Sequence, residues 1–134
     1  MDSELILASA FRFEKERGQL DSFFESRLED SGLSDKTVEE VAKLLTSYIK
    51  SHITSETELL SSALFALGKS YDSSNSKLYI EVMKNSQKTN PVACYQAAIA
   101  LENTGVLVFP EGADVSKPTD FLRDINAYLG EHAL

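Results

Sequence analysis

The sequence predicts an all-α protein, and three observations carry that prediction. Apolar residues recur at intervals of three and four in nearly every segment, the period of helices packed on one side. Start and stop signals for helices, S/T-x-x-E tetrads and isolated glycines, cut the chain into helix-sized pieces. The only stretch of strand-like composition, "VLVF" at 106–109, is one apolar tetrapeptide with no pairing partner, so it reads as an extended connection.

The elements follow in order. Ile6, Ala10 and Phe13 share a face of the first helix, with Leu7 and Phe11 beside it, and Gly18 marks its end. "DSFFESRLED" turns Phe23, Phe24 and Leu28 inward, with Gly32 as the C-terminal cap. "TVEEVAKLLTSYIK" aligns Val38, Val41, Leu45 and Tyr48, and "SETELLSSALFALGKSY" aligns Leu60, Ala63, Leu64 and Leu67. Ser22 with Glu25, Thr37 with Glu40 and Ser55 with Glu58 match the capping box, in which the hydroxyl accepts from a first-turn amide and the glutamate reaches back. "DSSNS" separates the fourth helix from "KLYIEVMKN", where Leu78 and Val82 lie one turn apart. Asn90-Pro91 supplies a cap and a proline at the first position of a sixth helix, closed by Gly105. "TDFLRDINAYL" forms the last helix, with Phe121 and Ile125 on its apolar face, for a total of about seven.

A chain of 134 residues fits a single α-helical domain, 1–134, and can bury a core without disulfides or metals. Its 43% hydrophobic and 25% charged residues are those of a globular protein. The net charge of −8 repels phosphate backbones, which argues against direct nucleic-acid binding and favours basic proteins as partners. Cys94 is the only cysteine, so no intrachain disulfide forms and a reducing compartment is expected. The apolar run in "MDSELILASAF" carries Asp2 and Glu4 where a signal peptide has basic residues, and no run is long enough to span a bilayer. The expected location is the cytoplasm, with no membrane contact.

Gly68-Lys69-Ser70 has the letters that end a phosphate-binding loop. Such a loop requires G-x-x-x-x-G-K-S/T, and its first glycine would fall on Ala63. The motif must also follow a strand and open a helix, whereas Gly68 lies near a helix end. The same letters belong to a repeat. A shift of 34 residues aligns Ala63 with Ala97, Phe65 with Ile99, Ala66 with Ala100 and Leu67 with Leu101. The stretch 60–105 resembles the HEAT-like α-helical repeats, with an A-x-x-A-L-G first helix and a second helix bearing leucines one turn apart. That resemblance, continued to about residue 130, implies a right-handed stack of helix pairs. Residues 76–86 would then be the second helix of one unit, and the last helix would complete the next. The alternative is an irregular helical bundle. Glu102 stands where the family often has glycine, "VLVFPEGAD" interrupts the final unit, and the pair 20–31 and 35–50 does not align with the repeat.

Candidate chemistry is sparse. His52 and His132 are the only imidazoles, eighty residues apart, with no second ligand at metal spacing. Cys94 falls on the apolar side of an alanine-rich helix, the setting of an inert buried thiol, although a Cys94–His dyad stays open at this level. Neither metal nor cofactor is expected. The acidic residues are more distinctive. Asp21, Glu25 and Glu29 recur every four residues, a negative ridge on a helix, beside Asp30, Asp35 and Glu39. Between 21 and 40, seven acidic residues face only Arg27 and Lys36, a local charge of −5, and Glu39 can pair with Lys43. Asp120 and Asp124 repeat the spacing on the last helix beside Arg123.

These eight carboxylates, Asp21, Glu25, Glu29, Asp30, Asp35, Glu39, Asp120 and Asp124, are the expected partner-binding residues. In size, charge and compactness the chain resembles bacterial immunity proteins, including those of contact-dependent inhibition systems. The resemblance implies a non-enzymatic inhibitor that occludes the basic surface of a nuclease-type toxin. The alternatives are an adaptor or regulatory subunit for a different protein, and a small helical enzyme using a carboxylate or Cys94.

Overall fold

In the computed structural model, which describes residues 1–132, the described chain forms seven α-helices and no strand. They are α1 (Ser3–Glu16), α2 (Glu25–Ser31), α3 (Val38–Ser51), α4 (Glu58–Gly68), α5 (Ser76–Asn85), α6 (Pro91–Glu102) and α7 (Pro118–His132). Short 3₁₀ turns, Ser22–Phe24 and Ser73–Asn75, lead into α2 and α5.

Helix starts are set by side-chain oxygens that satisfy otherwise unpaired first-turn amides. Asp2 Oδ1 accepts from Leu5 N at 2.8 Å to open α1. Thr37 Oγ1 accepts from Glu40 N at 3.1 Å and donates to the Glu40 carboxylate at 3.3 Å, so this expected capping pair forms. Asn90 caps α6 with Pro91 behind it, and Gly32 ends α2 in the left-handed region at φ 81°. Two expected caps are displaced by a neighbour. Asp21, not Ser22, holds the turn before α2, because its carboxylate reaches Phe23 N at 2.8 Å. Thr57, not Ser55, caps α4 by accepting from Leu59 N at 3.2 Å, and Ser55 Oγ accepts from Thr57 N one step earlier.

Packing places α1, α4 and α6 side by side and parallel. Asn90, at the start of α6, donates through Nδ2 to Ser55 O and Thr57 O just before α4. Asn103, at the other end of α6, donates to Gly68 O at the end of α4. The 34-residue offset in sequence therefore corresponds to two helices in register. The first turns of α1 border the first turns of α4 along a groove containing Ser3, Leu7, Ser61 and Ser62. At the far end the Arg17 guanidinium stacks on Tyr71 at 3.8 Å, against a tyrosine held at φ 53°.

The second row runs antiparallel. Val38 and Ala42 of α3 lie beside Lys69 and Ser70 at the end of α4. Cys94 in α6 reaches Met83 O in the last turn of α5. The adjacent hairpins are thus α3–α4 and α5–α6: α5 packs along α6, whereas the repeat alignment paired residues 76–86 with the helix before them. The short link from Ser86 to Asn90 folds α5 directly back on α6. The longer path through Tyr71 and the Asp72-capped turn carries the chain away from α4.

The core forms where small residues let α4 and α6 approach. Ala63, Ala66 and Gly68 of α4 and Ala93, Ala97 and Ala100 of α6 are all buried, with Gly68 set against Ala100, and Leu60, Leu64, Leu67 and Leu101 are buried with them. The stretch 106–109 forms no strand. Glu102 Oε2 accepts from Val108 N at 3.2 Å and Phe109 N at 3.1 Å, which pins the segment to α6 and buries Val108 and Phe109. Phe121 and Tyr95, at 5.1 Å between ring centroids, join α7 to α6.

Candidate functional site

The 21–40 segment wraps one end of the stack. α2 is a two-turn helix whose close backbone neighbours are α1 and the turn that precedes it. It docks through Leu28, fully buried, and through Phe24, which stacks on Phe11 at 4.9 Å. Everything else on α2 except Ser31 is exposed.

Asp21, Glu25, Glu29, Asp30, Asp35 and Glu39 all lie on this exposed surface. Asp21 precedes α2 and spends one oxygen on the turn, so the helical ridge reduces to Glu25 and Glu29, one turn apart. The two local cations are engaged elsewhere. Arg27 reaches across to Glu4 of α1, with Nη2 at 3.1 and 3.3 Å from its oxygens, and Lys36 lies 4.0 Å from Glu40. Glu25, Glu29, Asp30, Asp35 and Glu39 have no Lys or Arg nitrogen within 4.0 Å among the described residues, Lys43 included.

Asp120 and Asp124 do not join this surface. They sit on α7, which packs on α5 and α6, while α2 is confined to the α1 end. They are half-buried and flank Arg123, whose nitrogens lie 3.9 Å from Asp120 and 3.8 Å from Asp124. One Asp124 oxygen is buried without a hydrogen-bond partner.

Phe23 is the residue that helical periodicity misplaced. Expected in the core, it is 78% exposed and stands edge-on to Phe24 at 5.3 Å. Adjacent residues on a helix point about 100° apart, so only Phe24 shares a face with Leu28, and Phe23 is turned to water. The spacing from Leu28 was the signal that separates the two. An exposed phenylalanine beside unpaired carboxylates combines an apolar anchor with an electrostatic rim.

Beside it, a groove of about 330 Å³ runs between α1 and α2. Leu5, Leu7, Ala8 and Phe11 form its apolar side, and Asp2, Glu4, Asp30 and Arg27 its polar side.

The other candidates are accounted for structurally. Gly68 is buried against α6, Lys69 Nζ lies 5.1 Å from the Phe65 ring centroid, and Ser70 Oγ donates to Leu67 O at 2.7 Å. These three residues close a helix instead of opening one, so their amides form no phosphate cradle. His52 and His132 each donate from Nδ1 to a carbonyl one turn back, Tyr48 O at 2.8 Å and Tyr128 O at 2.9 Å. Each also stacks on that tyrosine, and His52 is the C-cap residue of α3. No group of three potential metal-ligating side chains occurs among the described residues.

Cys94 is fully buried. Desolvation pushes its thiol up to about 11, partly opposed by the Ser86 hydroxyl. At pH 8 the thiolate is roughly a thousandth of the population. Native protein should therefore leave a disulfide reagent such as DTNB unreacted for as long as it stays folded, and release one equivalent of product at once in denaturant. Rapid native labelling would show that the thiol is accessible.

No described helix is long and apolar enough to cross a membrane. Comparison with protein families, curated proteins and solved structures returns no match.

Proposed function

We propose that this protein is a non-enzymatic binding module, an immunity or inhibitor protein whose acidic end occludes the basic groove of a nuclease-type toxin. One observation carries the proposal: five exposed carboxylates of the 21–40 surface have no cation within 4.0 Å among the described residues. Concentrated like charge without internal compensation is relieved by a cationic partner, and the same field accelerates encounter. A nuclease groove is positive because its substrate is a polyanion. The HEAT-like resemblance belongs to this proposal, as a scaffold of stacked helix pairs that offers its exterior for binding.

The test takes as partner whatever binds this protein in a pull-down from its native host, with binding and nuclease activity of that partner measured together. Glu25→Lys with Glu29→Lys moves the 21–40 charge from −5 to −1. The expected result is an association rate lower by about tenfold at low salt, with a flattened salt dependence and proportionate loss of inhibition. Dissociation should change little and folding should survive, because both side chains are exposed. An unchanged rate and salt slope would remove this surface from the interface.

A second reading, an adaptor for a different class of protein, is favoured by one feature. The groove between α1 and α4, bordered by Leu7, Phe65 and Gln96, is lined by no charged side chain.

A further inference from the structure

We infer that the groove between α1 and α2 is the seat of a basic amphipathic helix of the partner. That helix lays apolar side chains on Leu5, Leu7 and Phe11 and sets lysines or arginines against Asp2, Glu4 and Asp30. The inference rests on the proposed inhibitor function and names what the site receives.

Charge complementarity selects this groove. Its rim has three carboxylates against one guanidinium, and that guanidinium is already turned onto Glu4. Among the described residues Asp30 has no cation within 4.0 Å, and Asp2 uses one oxygen to cap α1 and has no recorded partner for the other. Glu25 and Glu29 extend the negative field along α2, and Phe23 adds an exposed ring at its leading end. Other grooves carry fewer carboxylates or more cations; the one where α1 and α3 meet the end of α4 sets Arg17 and Lys69 against Glu16, Glu39 and Asp72. The α1–α4 groove is uncharged, and the one between α3 and α5 carries Lys50 and Lys77 against Glu81. The groove beside α7 offers two carboxylates, Asp124 and Glu131, and Arg123 lies 3.8 Å from Asp124.

Shape selects a helix. Two packed helices leave a furrow that a third fills at a spacing of about 8–10 Å. From Asp2 to Phe11 the furrow is about 14 Å long, or two and a half turns of helix. A stripe of apolar residues at three- and four-residue spacing meets Leu5, Leu7 and Phe11, and cations flanking the stripe meet the rim.

The first test needs no toxin. A fluorescent lysine–leucine peptide of about five turns, with leucines on one face, is compared with a scrambled peptide of identical composition. The amphipathic peptide should bind about tenfold more tightly, since composition is equal and only the stripe differs. Amide shift changes in ¹⁵N-labelled protein should centre on residues 2–11 and 27–31. Leu7→Lys with Asp30→Lys should abolish the preference, and Arg27→Ala, which removes the groove's only Lys or Arg, should raise affinity a few-fold. Equal binding of both peptides, or shifts centred on α3 or α7, would overturn the inference. A toxin domain that binds normally to the Leu7/Asp30 variant would also refute the groove while leaving the inhibitor function standing. Peptide in the groove with no toxin domain bound would do the reverse.

Discussion

Replacing Gly68 with leucine should lower folding stability by about 3 kcal/mol, seen as a fall of roughly 1–3 M in the urea midpoint. A Cβ at Gly68 would stand 3.2 Å from Ala100 Cβ and 3.4 Å from Ala100 Cα, so the first added carbon is already tight against the Ala100 methyl of α6. Three further carbons have no space unless α4 and α6 separate, and that contact joins the two ends of the stack. Gly68→Ala is the calibrating variant. At the last residue of α4 alanine keeps only part of its helix-interior advantage of about 1 kcal/mol over glycine, which offsets part of the contact, so the effect should be small. Combining Gly68→Leu with Ala100→Gly should recover part of the loss, because the two sites share one gap. If Gly68→Leu is neutral, the close approach of the helices is wrong.

Asn90→Ala should cost about 3 kcal/mol, well above an ordinary helix cap. Asn90 Oδ1 accepts from Ala93 N at 3.2 Å, while Nδ2 donates to Ser55 O at 3.2 Å and Thr57 O at 2.9 Å. Truncation removes the cap and withdraws a donor from two carbonyls at the root of α4. Asn90→Asp separates the roles. Aspartate matches asparagine as an N-cap, so a residue acting only as a cap would tolerate it. Here a carboxylate would face two carbonyl oxygens with no hydrogen to donate, and the variant should be as damaging as alanine. Thermal unfolding of both variants decides between the two roles, and a benign Asn90→Asp would mean the link to α4 contributes nothing.

Both predictions concern the one long-range feature that local sequence reading reached. The 34-residue echo of Ala63–Leu67 in Ala97–Leu101 implied equivalent environments, and the two helices do lie in register. What the echo did not convey is which helix folds back on which. Turn geometry decided that, through Tyr71 at positive φ and the short link into α6. The acidic surface was legible as composition, and its six members from Asp21 to Glu39 are exposed. Their lack of counterions was not legible. Arg27 sits between acidic neighbours in sequence yet bonds to Glu4, twenty-three residues away. Asp120 and Asp124 repeat the same spacing but stand beyond α6, at the opposite end, because α1, α4 and α6 intervene.

The sequence by itself determined that the chain is helical, where most helices begin and end, and which stripe of each faces inward. Those properties depend on contacts within one or two turns: a cap oxygen and its amide, or residues three and four apart. Tertiary structure alone decided which cations neutralise which carboxylates and where two helices leave a furrow. The reason is range. Charge pairing and groove shape depend on distances between segments far apart in the chain, and no local period encodes those distances.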